Sequence, residues 1–194
     1  MDIILTSIGL LCILPVIGIL AVLIKFDSKG PIIYQQRRLG QDGVRFSAKK
    51  FRTMHMNADE LLEKHLEENP NLRIEWETFH KLPDHPGVTR IGKVLRKYSL
   101  DELPQLWNVL VGEMSLVGPR PYMEREIPDM DQKESIILRV RPGLTGIWQV
   151  TTRNESTFDQ RLQLDVEYVR NWSPWLDMYV IARTFPVVLG GTGT

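Results

Sequence analysis

The chain has 194 residues, of which 24 are basic and 24 acidic. That length suits one domain with a modest core, and the balanced charge excludes a global field that would recruit nucleic acid, so electrostatic specificity must be local. The single cysteine, Cys12, excludes an internal disulfide and a cysteine-based zinc site.

Across residues 3–24 the only clearly polar side chains are Thr6 and Ser7. A straight helix of that length reaches about 33 Å, roughly one hydrocarbon core. Pro15 stands at its midpoint, where it lacks a backbone donor and clashes with the carbonyl of Leu11, so a break or kink is expected there. Two half-helices meeting at Pro15 can enter and leave a bilayer by the same face, with a simple spanning helix as the competing topology. A cleaved signal peptide fits less well, because the segment has no basic start and runs into Lys25-Phe26-Asp27-Ser28-Lys29-Gly30-Pro31 rather than an Ala-x-Ala exit. Lys25 and Lys29 suit a cytoplasmic end. The chain thus divides into a membrane segment, residues 1–27, and a remainder, residues 28–194, of ordinary soluble composition.

Next, Ile32-Ile33-Tyr34 reads as a short strand and residues 37–52 as a basic hairpin punctuated by Gly40 and Asp42-Gly43. Its cations, Lys50 among them, suit either a solvated face or a patch for lipid headgroups and nucleotide phosphates. Residues 57–69 form an acidic helix with a Leu61, Leu62, Leu66 stripe, and a Pro-rich connection leads to a second helix over residues 89–97. His55, His65, His80 and His85 show no metal-ligand spacing. Residues 158–172 have helical periodicity, and Ser173-Pro174 supplies an N-cap and first-turn proline for a last helix. There Trp172, Trp175 and Tyr179 gather at one end, as in a core helix or at a water–bilayer boundary. The class is α+β, mainly helical.

Chemistry concentrates in the block from Arg96 to Leu110, with adjacent Asp101 and Glu102. Pro104 belongs in a first helical turn, which puts both acids at a helix start, and Ser99-x-x-Glu102 matches a capping box. Capping alone would explain that arrangement. Yet two neighbouring carboxylates also suit Mg²⁺, which takes one or two protein carboxylates with substrate phosphate oxygens. Arg96, and Arg120 in the stiff Gly118-Pro119-Arg120-Pro121 turn, offer planar forks for phosphate. A second Gly- and Arg-rich loop follows Arg141, with amides at Gly143 and Gly146 able to approach a diphosphate and Arg153 close behind. Nucleophile, metal ligands and cationic clamps together suit phosphoryl transfer.

Several segments, in order, resemble the bacterial sugar transferase family, the monotopic phosphoglycosyl transferases that begin polysaccharide and glycoconjugate assembly. They are the Pro-interrupted apolar start, Lys50-Phe51-Arg52-Thr53-Met54, Thr89-Arg90-Ile91-Gly92, Ser99-Leu100-Asp101-Glu102-Leu103-Pro104-Gln105-Leu106-Trp107-Asn108, Met114 through Pro121, Arg141-Pro142-Gly143-Leu144-Thr145-Gly146 and Tyr168-Val169-Arg170-Asn171-Trp172. Residues 54–81 look most like the undecaprenyl-phosphate galactose or glucose phosphotransferases. The resemblance implies a reentrant helix broken at Pro15 and a site at the cytoplasmic face of the bacterial inner membrane, ringed by amphipathic interfacial helices. It implies that Asp101 attacks the sugar-bearing phosphate of a UDP-sugar, that UMP leaves, and that polyprenyl phosphate takes up the phosphosugar. Glu102 would act as base or Mg²⁺ ligand, and Arg96 and Arg120 would neutralise phosphate. Lys50, Arg141 and Arg153 join them as candidate phosphate or nucleotide ligands. Membrane lipids are implied partners, and a homodimer is compatible with the pattern. Two other readings use the same residues: a membrane-bound nucleotide-sugar hydrolase, and a non-catalytic assembly protein whose basic hairpin holds anionic lipid.

Overall fold

A computed structural model describes residues 2–79, 82, 84–152, 156–191 and 193. Asp2–Asp27 form one helix, α1, apolar around its whole circumference and so without a polar face for water. Ile3, Ile8, Leu11 and Ile19 are exposed along it, and Thr6 and Ile24 are its buried positions. Among the described residues it is the one helix long and apolar enough to cross a membrane. The expected division into two half-helices at Pro15 is not seen, since α1 runs through the proline. Proline deletes a single ladder donor, and the flanking apolar turns retain theirs.

The chain reverses at Gly30, whose φ of 130° few other residues adopt and where a Cβ would lie 2.3 Å from the Arg52 guanidinium. Arg52 is buried and donates to the Ser28 carbonyl (2.6 Å) and hydroxyl (2.9 Å), tying the end of α1 to the hairpin. Strands β1 (Ile33–Leu39) and β2 (Arg45–Phe51) pair antiparallel, Ile33 opposite Phe51 and Leu39 opposite Arg45. The segment around Ile33-Tyr34 is therefore the start of the hairpin's first strand rather than a separate strand.

Helices α2 (Ala58–Glu68) and α3 (Pro70–Phe79) pack through Leu62, Leu66, Leu72 and Trp76 into a satellite cluster with Leu82. Helix α4 (Arg90–Lys97) opens as expected at Thr89, whose hydroxyl accepts from the Gly92 amide at 2.9 Å. Gly92 touches the hairpin so closely that a Cβ would fall 2.1 Å from the Thr53 carbonyl oxygen.

Then follow α5 (Gln105–Leu110), β3 (Ser115–Val117), α6 (Glu134–Ile137), β4 (Gly143–Thr145), α7 (Ile147–Val150), α8 (Phe158–Arg170) and α9 (Pro174–Leu189). β3 and β4 pair in parallel, Ser115 with Gly143 and Val117 with Thr145. α8 opens on a Thr157–Gln160 capping box, and the Ser173 hydroxyl accepts from the Leu176 amide at 3.2 Å with Pro174 in the first turn of α9. Phe46 and Ala48 pack on Val109 and Met114; Val117, Val150, Tyr168 and Val180 join β3 to the last helices; Tyr122, Met130, Ile137, Leu162 and Val166 fill the space beneath α8. The molecule is mostly helical with small sheets, as the order of elements read along the sequence predicts.

Candidate active site

Asp101 and Glu102 lie in a 3₁₀ turn, Leu100–Glu102, ahead of α5. The expected first-turn placement with Ser99 as a capping serine is corrected: Pro104 caps α5, and Ser99 has a left-handed backbone, φ 53°, where a capping serine is extended. Tertiary packing explains the difference. Leu100 and Leu103, flanking the acids, both pack against a cluster of Ile24 on α1, Phe51 on β2 and Leu95 on α4, so the turn is held by three elements at once. Left-handed backbone at a non-glycine costs about 1 kcal/mol and persists where the surroundings enforce it.

Lys50 reaches across from β2. Its Nζ is 2.6 Å from Glu102 Oε1 and 3.7 Å from Asp101 Oδ2. Burial lifts the Asp101 carboxyl to about 6; Lys50 opposes the rise, Glu102 adds to it and Arg96 opposes it. Arg96 donates through Nε to Thr53 Oγ1 at 3.0 Å, and burial lowers its pKa while Asp101 raises it. Two carboxylates thus converge on one cation, here an ammonium. Their hard oxygens are of the kind that Mg²⁺ takes. Among the described residues no group of three or more metal-ligating side chains offers an all-protein cage.

Lys50 and Glu102 open on a cleft of about 300 Å³ also lined by Arg38, Arg120 and Arg161. Arg120 is held from behind: its backbone amide donates to Asp165 Oδ2 at 3.1 Å, as does the Tyr122 hydroxyl at 2.7 Å. Burial pushes Asp165, fully buried on α8, up to about 7, against the pull of those two donors. Arg38 donates to the Pro121 carbonyl at 3.0 Å and to Gln36 Oε1 at 2.6 Å. Burial and Arg120 bring it down to about 10, which leaves it a cation at neutral pH. Arg161 lies over the Trp148 ring, 4.9 Å from its centroid. Four cations facing Glu102 suit a ligand with more than one phosphate oxygen.

Lys50, Asp101, Glu102 and Arg120 are therefore brought together, with Arg96 in electrostatic reach of Asp101. Arg141 is placed elsewhere: it pairs with Asp2 at 3.3 Å and lines a different cavity of about 580 Å³ near the start of α1. Arg153 lies outside the described residues. Arg161, Trp148 and Gln149 were not singled out by motif. Trp172, Trp175 and Tyr179 are all exposed, Trp175 at 83%, so the last helix shows its aromatics to the surroundings instead of burying them.

Among known proteins, the chain is 43% identical over 193 residues to the exopolysaccharide production protein ExoY of Sinorhizobium fredii, covering all of this chain and 85% of that one. It is 45% identical to the undecaprenyl-phosphate galactose phosphotransferase of Salmonella typhimurium over 84% of this chain and 34% of that enzyme. It is 36% identical to the UDP-glucose:undecaprenyl-phosphate glucose-1-phosphate transferase of Escherichia coli over 94% of this chain and 38% of that enzyme. The bacterial sugar transferase family matches residues 1–191. With that match over nearly its whole length, the chain belongs to the bacterial sugar transferase family.

Proposed function

We propose that the protein moves a hexose 1-phosphate from a UDP-sugar to a polyprenyl phosphate such as undecaprenyl phosphate, the first membrane step of polysaccharide or glycoconjugate assembly. One observation carries the reading: Lys50 clamps an acid pair on a turn that shares an apolar cluster with Ile24 of α1, and Lys50 and Glu102 line a cleft with three arginines. The names of the relatives narrow the substrates to sugar phosphates and a lipid carrier.

In this mechanism a carboxylate oxygen of Asp101 attacks the phosphorus that bears the sugar. The phosphorus–oxygen bond to UMP breaks, UMP departs with the electron pair, and an aspartyl phosphohexose remains. A pKa of about 6 leaves Asp101 ionised at neutral pH and more basic than an ordinary aspartate. An oxygen of polyprenyl phosphate then attacks the same phosphorus and expels Asp101, yielding polyprenyl-diphosphate-hexose. Glu102 would take a proton from the lipid phosphate, while Lys50, Arg38, Arg120 and Arg161 would neutralise the phosphate oxygens. Asp101 and Glu102 are also the residues that would hold Mg²⁺, which when bound supplies further neutralisation of phosphate charge.

The same proposal puts α1 in the bacterial inner membrane with the site on its cytoplasmic face, α1 entering and leaving by that face through a bend at Pro15 in the bilayer that the continuous helix does not itself display. Both ends of α1 touch one body: Asp2 pairs with Arg141, and Asp27 Oδ2 accepts from the Ile91 amide at 3.0 Å. A spanning helix would leave its ends on opposite faces of the bilayer.

The test is a panel of UDP-sugars without acceptor. UMP release should accompany a protein mass gain of one phosphohexose, and Asp101→Asn should show neither while remaining folded. Full activity in that variant would sink the nucleophile assignment. Free hexose phosphate without lipid product, once acceptor is added, would favour hydrolysis.

A further inference from the structure

The cations of the cleft account for phosphate but leave part of its wall without a role. That part comes from β4 and α7, and it includes Trp148 and Gln149. Trp148 is 8% exposed, and its indole N–H has no hydrogen-bond partner; the side-chain oxygen of the next residue, Gln149, is buried and equally unpartnered. Buried polar atoms are nearly always satisfied, so two successive orphans lining one cleft need an explanation. One is a donor and the other an acceptor. A hydroxyl group is the complement of that pair, since it accepts and donates at once, whereas phosphate at neutral pH mainly accepts.

Position narrows the ligand. The Gly143 amide donates to the Pro119 carbonyl at 2.7 Å and the Gly118 amide to the Thr145 carbonyl at 3.0 Å, so the wall is bonded to the turn carrying Arg120. A Cβ on Gly143 would lie 2.1 Å from the Gly118 nitrogen, which leaves no slack between them. The group read by the wall is therefore the one attached to the clamped phosphate. The cleft, at about 300 Å³, stands at the small end of ligand pockets and suits a sugar phosphate.

We infer that Trp148 and Gln149 bind a hydroxyl of the hexose, the indole N–H donating to its oxygen and the Gln149 carbonyl accepting its proton. This rests on the transferase reading only for hexose 1-phosphate as the ligand. Calorimetry on the full chain in nanodiscs, with hexose 1-phosphate, its monodeoxy analogues, inorganic phosphate and UMP, tests it. Hexose 1-phosphate should bind at least tenfold tighter than inorganic phosphate, and one deoxy analogue should lose most of that gain. Trp148→Phe, which keeps a ring beneath Arg161, and Gln149→Leu should each weaken hexose 1-phosphate about tenfold with phosphate affinity unchanged. In both variants that deoxy analogue should bind no worse than the parent sugar, a coupling that a purely structural role does not produce. Equal loss for phosphate, absence of coupling with every deoxy analogue, or loss of UMP affinity in place of sugar affinity would overturn the assignment. Failure of UMP release from every UDP-sugar would instead sink the transferase reading and leave these binding results standing.

Discussion

Lys50 is the residue on which the site turns, because its ammonium answers two carboxylates at once, Glu102 at 2.6 Å and Asp101 at 3.7 Å. Among the charges that hold the Asp101 pKa down it is the strongest. Lys50→Met should move that pKa upward from about 6, so the acid limb of UMP release shifts to higher pH and the rate at pH 6 falls by about tenfold. An unshifted limb would separate Lys50 from the nucleophile. Asp101 itself is costly to the fold. Its carboxyl sits at about 6 in the folded protein against an ordinary 3.8, so the folded state binds the proton more tightly. Stability therefore falls as pH rises between those values, and at pH 7 the ionised carboxylate costs on the order of 2 kcal/mol. Asp101→Asn should melt a few degrees higher than the parent at pH 7, with the difference gone at pH 4, as thermal unfolding at the two pH values would show.

At the scale of elements, the site depends on how α5 and the two parallel strands are fastened. Asn108, fully buried on α5, accepts from the Lys49 amide at 3.1 Å and donates to the Ser47 carbonyl at 2.9 Å and to Glu113 at 2.6 Å. It acts as a surrogate strand partner for β2, and so holds the strand that carries Lys50 beside the turn that carries the acids. Asn108→Leu keeps the volume but leaves a buried strand amide and carbonyl without partners. It should destabilise by about 2 to 4 kcal/mol in denaturant unfolding, a far larger loss than a surface change produces. The acidic helix, the Thr89 start of α4 and the Ser173-Pro174 start of α9 were all legible in the sequence, because caps and apolar stripes are local. The acid turn was not. Its 3₁₀ form goes with Leu100 and Leu103 packing on a cluster built from α1, β2 and α4, two of them far away in the chain.

For the whole molecule the question is how an apolar helix and a charged cleft share one surface. α1 turns Ile3, Ile8, Leu11 and Phe26 outward, and Trp107, Trp172, Trp175 and Phe185 are exposed on α5, α9 and the turn before α9. Large apolar groups in such numbers mark a surface meant for something other than water. With Cys12 replaced by serine, single cysteines at Asp2 and Lys29 should both react with an impermeant maleimide from the cytoplasmic side and neither from the other. Labelling of the two ends from opposite sides would make α1 a spanning helix.

By itself the sequence determined the long apolar segment, the hairpin's existence and the starts of α4 and α9, since hydropathy, capping and turn chemistry act over a few neighbouring residues. It also singled out Arg120, stiffened by prolines on both sides. Only the tertiary structure decided which cations serve the acids. Lys50 and Arg161 come from segments far from Asp101 and meet at one cleft, Arg52 is spent on the end of α1, and Arg141 goes to another cavity with Asp2. Pro15 shows the same limit from the other side: its local chemistry predicts a break, yet the helix continues through it. Charge can be counted along a chain, but its partners are fixed by packing, where burial and distance set each interaction's strength.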